Sequence, residues 1–218
     1  KYTVYFAKLL RDNITTSMDI FSDILPHSVF DAHELVREQG VVIQEIAMHR
    51  DTPDDLIHDY FDETAFPSQP LGRSILSTEE KVASYTRGDL VRYMDTHYRA
   101  PRMVVSAAGH IDHDTLVKLA TKYFHIEERP PAAAYVPGKY QGGDVRVARN
   151  LEQLHLLYGL PSVSLQSPDY YATQVYTIIL GGGMSSRLFQ EVREKRGLAY
   201  TVYSSLSAYD DCGLLTLY

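Results

Sequence analysis

Glu38 and Glu45 stand seven residues apart in a segment, residues 32–48, whose apolar spacing predicts a helix. Seven residues are nearly two α-helical turns. The two carboxylates therefore fall within about 20° of one another around the axis, and roughly 10 Å apart along it. Glu34 and His49 share the stripe, while Leu35, Ile43 and Ile46 fill the adjoining arc. Both acids thus border an apolar face. A carboxylate beside a dry surface is costly unless a cation meets it, and a metal ion would do so. Charged side chains are mostly exposed, so a pair of solvated boundary residues is the competing reading.

A second pair is Arg193 and Tyr200, which bracket Glu-Lys-Arg-Gly-Leu-Ala. Arg193 lies near a predicted helix C-terminus, and Tyr200 begins the next strand, beyond a turn at Gly197. A guanidinium and a phenol brought together can bind a peptide carbonyl or stabilise an oxyanion. A helix-end cation and an unrelated strand aromatic would have the same spacing. Other patterns are weaker. His110 and His113 sit at a strand-to-helix turn, where Asp112 reads as a cap. The remaining histidines are scattered, with neither H-E-x-x-H nor H-x-x-E-H among them, and only His49 shares a stripe with an acid. Gly181-Gly-Gly-Met-Ser-Ser follows a helix and lacks the lysine of a phosphate loop, so the glycines read as a helix end.

The elements that would carry these residues can be read from caps and periodicity. Helices are expected over residues 14–25, from 32 to about 48, and from Thr52-Pro53-Asp54-Asp55 to about 64. Others should start at Ser77/Glu80, at Thr86/Asp89 (ending near 98), at Asp112 (through 124), at Ser167-Pro168-Asp169 (to Gly181) and at Ser185 (ending before Gly197). Strands are expected at 1–10, 103–108, 144–149, 153–160, 199–207 and 213–218, the last two joined as a hairpin around Tyr209-Asp210-Asp211. The segment 127–140, with three prolines and a triple alanine, reads as a linker. The expected class is α+β: two similar mixed domains, each a mainly antiparallel sheet flanked by helices, over 1–128 and 141–218 with a linker at 129–140.

The 218 residues carry 21 Lys and Arg against 28 Asp and Glu, a formal charge of −7. This argues against nucleic acid or an anionic membrane surface as the main partner. A lone Cys212 excludes an intrachain disulfide and a Cys-rich metal site. No apolar run reaches the length of a bilayer span. The chain opens on Lys1 in a strand-like stretch and stops in another, so an internal piece of a longer protein is expected.

These segments together resemble the pitrilysin/insulinase family of zinc peptidases, on the branch of the mitochondrial processing peptidase and its bacterial relatives. The resemblance is carried by Thr3-x-Tyr5-x-Ala7-Lys8, Phe30-Asp-x-x-Glu34-Leu, Glu38 through Glu45-Ile46 and Asp51-Thr-Pro-Asp-Asp55. It continues in Leu71-Gly-Arg, His97-Tyr-Arg-Ala-Pro101 and, most specifically, Ser185-Ser-Arg-Leu-Phe-Gln-Glu-Val-Arg-Glu-Lys-Arg-Gly-Leu-Ala-Tyr200. It implies a two-domain clamshell around a peptide-binding chamber and a zinc-dependent endopeptidase. Glu45 matches the distal zinc ligand, and Glu38 an acid supporting the metal from outside its coordination shell. Arg193 and Tyr200 match the second-domain pair at the substrate carbonyl. The two histidine ligands belong to an H-x-x-E-H helix that this sequence lacks and that would precede Lys1, so the chain alone is expected to be inactive. A homodimer, or a pairing with a related subunit, is expected. The alternative is a non-catalytic family member acting as partner, scaffold or peptide-binding subunit. The composition suits bacterial cytoplasm, periplasm or mitochondrial matrix, with the bacterial compartments favoured.

Overall fold

The computed structural model describes residues 3–126 and 136–218. Seven α-helices occur among them: α1 (Ile14–Ile24), α2 (Ala32–Arg50), α3 (Pro53–Ala65), α4 (Glu79–Ser84), α5 (Arg87–His97), α6 (His113–Tyr123) and α7 (Tyr170–Gly181). A π-helix spans Phe189–Glu194. Three strands, β1 (Tyr158–Ser162), β2 (Ser204–Ala208) and β3 (Gly213–Leu217), form one antiparallel sheet in the order β1-β3-β2.

The caps explain most helix starts. Thr86 and Asp89 close a reciprocal capping box on α5, and Asp112 accepts the Thr115 amide at 2.8 Å on α6. Asp31 accepts the amides of His33 and Glu34 at the head of α2. Pro53 opens α3, where its missing N–H costs nothing.

The chain divides into two compact units. The first draws its described residues from Lys1–Gly40 and Ala83–Tyr135, the second from Val41–Val82 and Val136–Tyr218. In the first, α1 packs on α6, burying Met18 and Leu25. The Gln39 amide donates to the Tyr85 carbonyl at 2.9 Å, and Arg87 Nε to the Val29 carbonyl at 3.0 Å.

The second unit holds the sheet. Its core is Ala65, Phe66 and Leu214, with Phe61, Leu71, Tyr140 and Cys212 packed around them. Gly159 in β1 admits the Phe61 ring, which would lie 2.3 Å from any Cβ there. Pro161 sits in the edge strand β1, where the ladder tolerates a missing donor. Gln69 straps residue 139 to the loop after α3 through paired amide bonds of 2.8 and 2.7 Å.

The antiparallel sheet flanked by helices agrees with the expected α+β class. The hairpin is also observed: Ala208 pairs with Gly213, and the Tyr209 amide closes the turn on the Cys212 carbonyl at 2.8 Å. Several expected strands need correction. Residues 3–10, 103–108, 144–149 and 153–157 join no ladder. β-Rich composition favours extended backbone, but a strand needs a partner, and these segments have none among the described residues. Their apolar side chains are consequently exposed, with Phe6, Val104 and Leu154 more than 80% accessible. Residues 1–2 of the first expected strand and 127–135 of the expected linker lie outside the described residues.

Candidate functional site

Both acids are carried by α2, as their spacing predicts. Ile46 is buried at 3% exposure, and Leu35, Val42 and Ile43 are half-buried on the same helix. Glu38 and Glu45 themselves are exposed. They thus border the apolar arc with their carboxylates in solvent, available to a ligand without a burial cost. His49, one turn beyond Glu45, is engaged elsewhere: its Nε2 lies 3.0 Å from Asp59 Oδ2 on α3.

Among the described residues, no three His, Cys, Asp or Glu side chains converge as a metal shell. An exposed carboxylate such as Glu45 is a hard anionic donor suited to one position of a zinc shell. The imidazole positions of such a shell are not filled by the described residues. His110 and His113 flank the Asp112 cap, which accepts both the amide and the hydroxyl of Thr115 at 2.8 Å.

Arg193 and Tyr200 do come together. The Arg193 guanidinium carbon lies 4.8 Å from the centre of the Tyr200 ring. The local fold explains this. Around Phe189–Glu194 the helix widens, with the Lys195 amide donating to the Gln190 carbonyl at 3.0 Å. Gly197 then adopts φ +59°, a left-handed conformation that glycine takes without strain. The Gly197 and Leu198 amides close back on Arg193 and Val192 at 2.9 and 3.0 Å, and Tyr200 follows three residues after that glycine.

The pair flanks an open groove of about 260 Å³, whose other walls are Gly181–Met184, Phe189 and residues 201–203. The glycines end α7, as expected, and line the groove. Gly181 lies against the backbone of β2, where Ser204 Oγ donates to the Thr177 carbonyl at 2.7 Å.

Two features escaped the sequence. The first is Phe189, whose ring centre lies 4.7 Å from the same guanidinium carbon. Its position four residues before Arg193 is the signal that could have found it. The second is an aromatic cluster on the sheet side. Tyr203, a groove residue, stacks on Tyr218 at 5.0 Å between ring centres. His155 Nδ1 lies 2.8 Å from the Tyr218 hydroxyl, and His58 stacks on the Tyr218 ring at 6.1 Å. Burial, assisted by the Asp54 charge, raises the ionisation of both tyrosines above the ordinary phenol range. Both phenols are therefore neutral at physiological pH. No spacing in the sequence links residues 58, 155, 203 and 218.

Comparison with known proteins identifies the family. Residues 1–79 match the family described as insulinase (peptidase family M16), and residues 84–218 match the one described as peptidase M16 inactive domain. An uncharacterized zinc protease of Rickettsia felis is 40% identical over 219 aligned residues, covering 99% of this chain and 53% of that protein. The uncharacterized zinc protease YmxG of Bacillus subtilis is 39% identical over 219, covering 100% of this chain and 53% of that protein. The chain spans about half the length of the curated relatives it matches. The crystal structure of a protease from Helicobacter pylori superposes with a TM-score of 0.84 at 19% identity, covering 96% of this chain and 52% of that one. That likeness is one of fold. Zinc is the cofactor that the family and the names of these relatives imply. With an insulinase match over its first part, an M16 match over the rest and zinc proteases as relatives along its whole length, the chain belongs to peptidase family M16.

Proposed function

We propose that the full-length protein is a zinc-dependent metalloendopeptidase acting on peptides or unfolded segments, of which these residues form one part. The observation that carries the reading is the identity of about 40% to zinc proteases along essentially the whole chain. The meeting of Arg193 and Tyr200 at an open groove is consistent with it.

In this reading Glu45 supplies one carboxylate ligand, and Glu38, two turns away on α2, supports the metal from outside its shell. The two histidine ligands come from outside this chain. Zinc, when bound, supplies Lewis-acid polarisation of water and of the scissile carbonyl. The contribution of Arg193 and Tyr200 is to hold that carbonyl. The guanidinium offers fixed donors and permanent charge, and the phenol offers one further donor. An extended substrate pairs along a free edge of the β1-β3-β2 sheet through backbone hydrogen bonds, a mode that tolerates many sequences. The two-domain division around residues 129–140, a homodimer or a pairing with a related subunit, and a bacterial cytoplasmic or periplasmic location belong to the same proposal.

The test is Glu45→Gln in the full-length protein. Zinc content by elemental analysis and peptide hydrolysis should fall together, and a chelator should abolish hydrolysis by the unmodified protein. Full zinc occupancy in the variant removes Glu45 from the shell. A non-catalytic role as partner or peptide-binding subunit is the second reading, favoured by the inactive-domain description of the match over residues 84–218. Chelator-insensitive peptide binding without cleavage by the full-length protein would establish it.

A further inference from the structure

We infer that Phe189 is a positioning residue for Arg193, holding its guanidinium at the mouth of the groove in readiness for a peptide carbonyl. The inference rests on the substrate role of Arg193 proposed above.

An arginine head on a long, flexible stem samples many rotamers, and a donor that must be ordered at each turnover contributes less than one already in place. Arg193 is not free in this way. Its guanidinium carbon lies 4.7 Å from the Phe189 ring centre and 4.8 Å from the Tyr200 ring centre, both within cation–π range. Its side chain is 35% exposed, whereas Tyr200 as a whole is 81% exposed. Glu194 Oε1 forms an ion pair with Arg193 Nε at 3.8 Å. That is too long for a hydrogen bond that would compete for the guanidinium.

Phe189 is the better anchored of the two rings. It is half-buried, and its amide is fixed by Ser186 Oγ at 3.4 Å at the start of the widened helix. Position 189 stands one helical turn before position 193, so the backbone itself delivers the ring to the guanidinium. Local widening of this kind often marks functional positions. Tyr200, by contrast, lies out in solvent beyond the Gly197 turn. It is free to leave the guanidinium and follow a substrate while Phe189 keeps Arg193 in place.

The test uses the full-length, zinc-loaded protein and one internally quenched peptide. Phe189→Leu should lower kcat/KM about 5-fold, and Phe189→Trp, which keeps a π face, should stay within about 2-fold of the unmodified protein. In an Arg193→Ala background, Phe189→Leu should have no further effect, because the residue acts through Arg193. Equal losses in the two backgrounds would overturn the inference and make Phe189 a packing residue only. A fully active Arg193→Ala variant would overturn the substrate role itself. That failure is told apart from failure of the clamp by the Arg193 Nε–H NMR resonance. Loss of the ring current in Phe189→Leu should move it, and an unmoved resonance means that no clamp exists.

Discussion

Gly181, the last residue of α7, lies so close to Ser204 of β2 that a Cβ on it would sit 2.4 Å from the Ser204 amide nitrogen. Gly181 also lines the groove beside Arg193. Gly181→Ala should destabilise the protein by about 2 kcal/mol, since backbone must move to admit the methyl. Gly183 is the control, because nothing would lie within 4 Å of a methyl group placed there, and Gly183→Ala should be near neutral. Urea unfolding of the two variants checks both.

A second prediction concerns the Tyr5 and Tyr98 hydroxyls, 2.6 Å apart. Burial first, and the bond to Tyr5 next, push the Tyr98 phenol up to about 12. The folded protein thus holds this proton more tightly than the unfolded chain. The resulting stabilisation is complete below the ordinary phenol value of 10.0 and is lost as pH rises from there towards about 12. Phenolate absorbance should show, among the late-titrating tyrosines, a component at about 12 that Tyr98→Phe removes. In Tyr5→Phe its midpoint should fall without reaching the ordinary value, because burial remains.

Cys212 gives a third. Burial, followed by the Asp211 carboxylate, raises its thiol to about 11, so little thiolate is present near neutrality. Iodoacetamide should label folded protein slowly and unfolded protein at the normal cysteine rate. Asp211→Asn should speed labelling of the folded protein, whereas a thiol indifferent to its neighbour would show no change. Equal rates in folded and unfolded protein would contradict this.

The helix caps supply a fourth. Thr86 forms both halves of its box with Asp89, and Thr86→Ala should cost about 1 kcal/mol. Hydrogen bonds at the two caps hold the Asp89 and Asp112 carboxyls below the usual range. Their contribution is present above the unfolded carboxyl value and disappears as pH falls through the lower folded value. Denaturant midpoints measured across that acidic window should converge for Thr86→Ala and the unmodified protein.

These elements also show what a sequence conveys. Helix starts were legible because a cap is a local event. Thr86 with Asp89, Asp112 with Thr115 and Thr52-Pro53 each announce a helix within four residues. Placement of Glu38 and Glu45 on one helix face followed from period alone. Strands are less legible because pairing is not local. Val104 and Leu154 have strand chemistry yet stand 91% exposed, their ladder partners absent from the described residues. The Arg193–Tyr200 contact depends on a widened helix and one left-handed glycine. The meeting of His58, His155 and Tyr218 depends on bringing α3 to the sheet, which no spacing encodes.

In the sheet order β1-β3-β2, the central strand is the last of the three in the chain. A ribosome delivers β1 and β2 first, yet neither can pair with the other. Both wait for Gly213–Leu217, five consecutive residues that each meet partners on two sides. The β2–β3 pairing closes over a short turn, whereas the β1–β3 pairing must close a connection that holds α7, the π-helix and β2, at a greater loop-closure cost. Chain order and sheet order therefore run counter to one another, and a chain ending just short of Gly213 would leave both outer strands as unpaired, aggregation-prone edges.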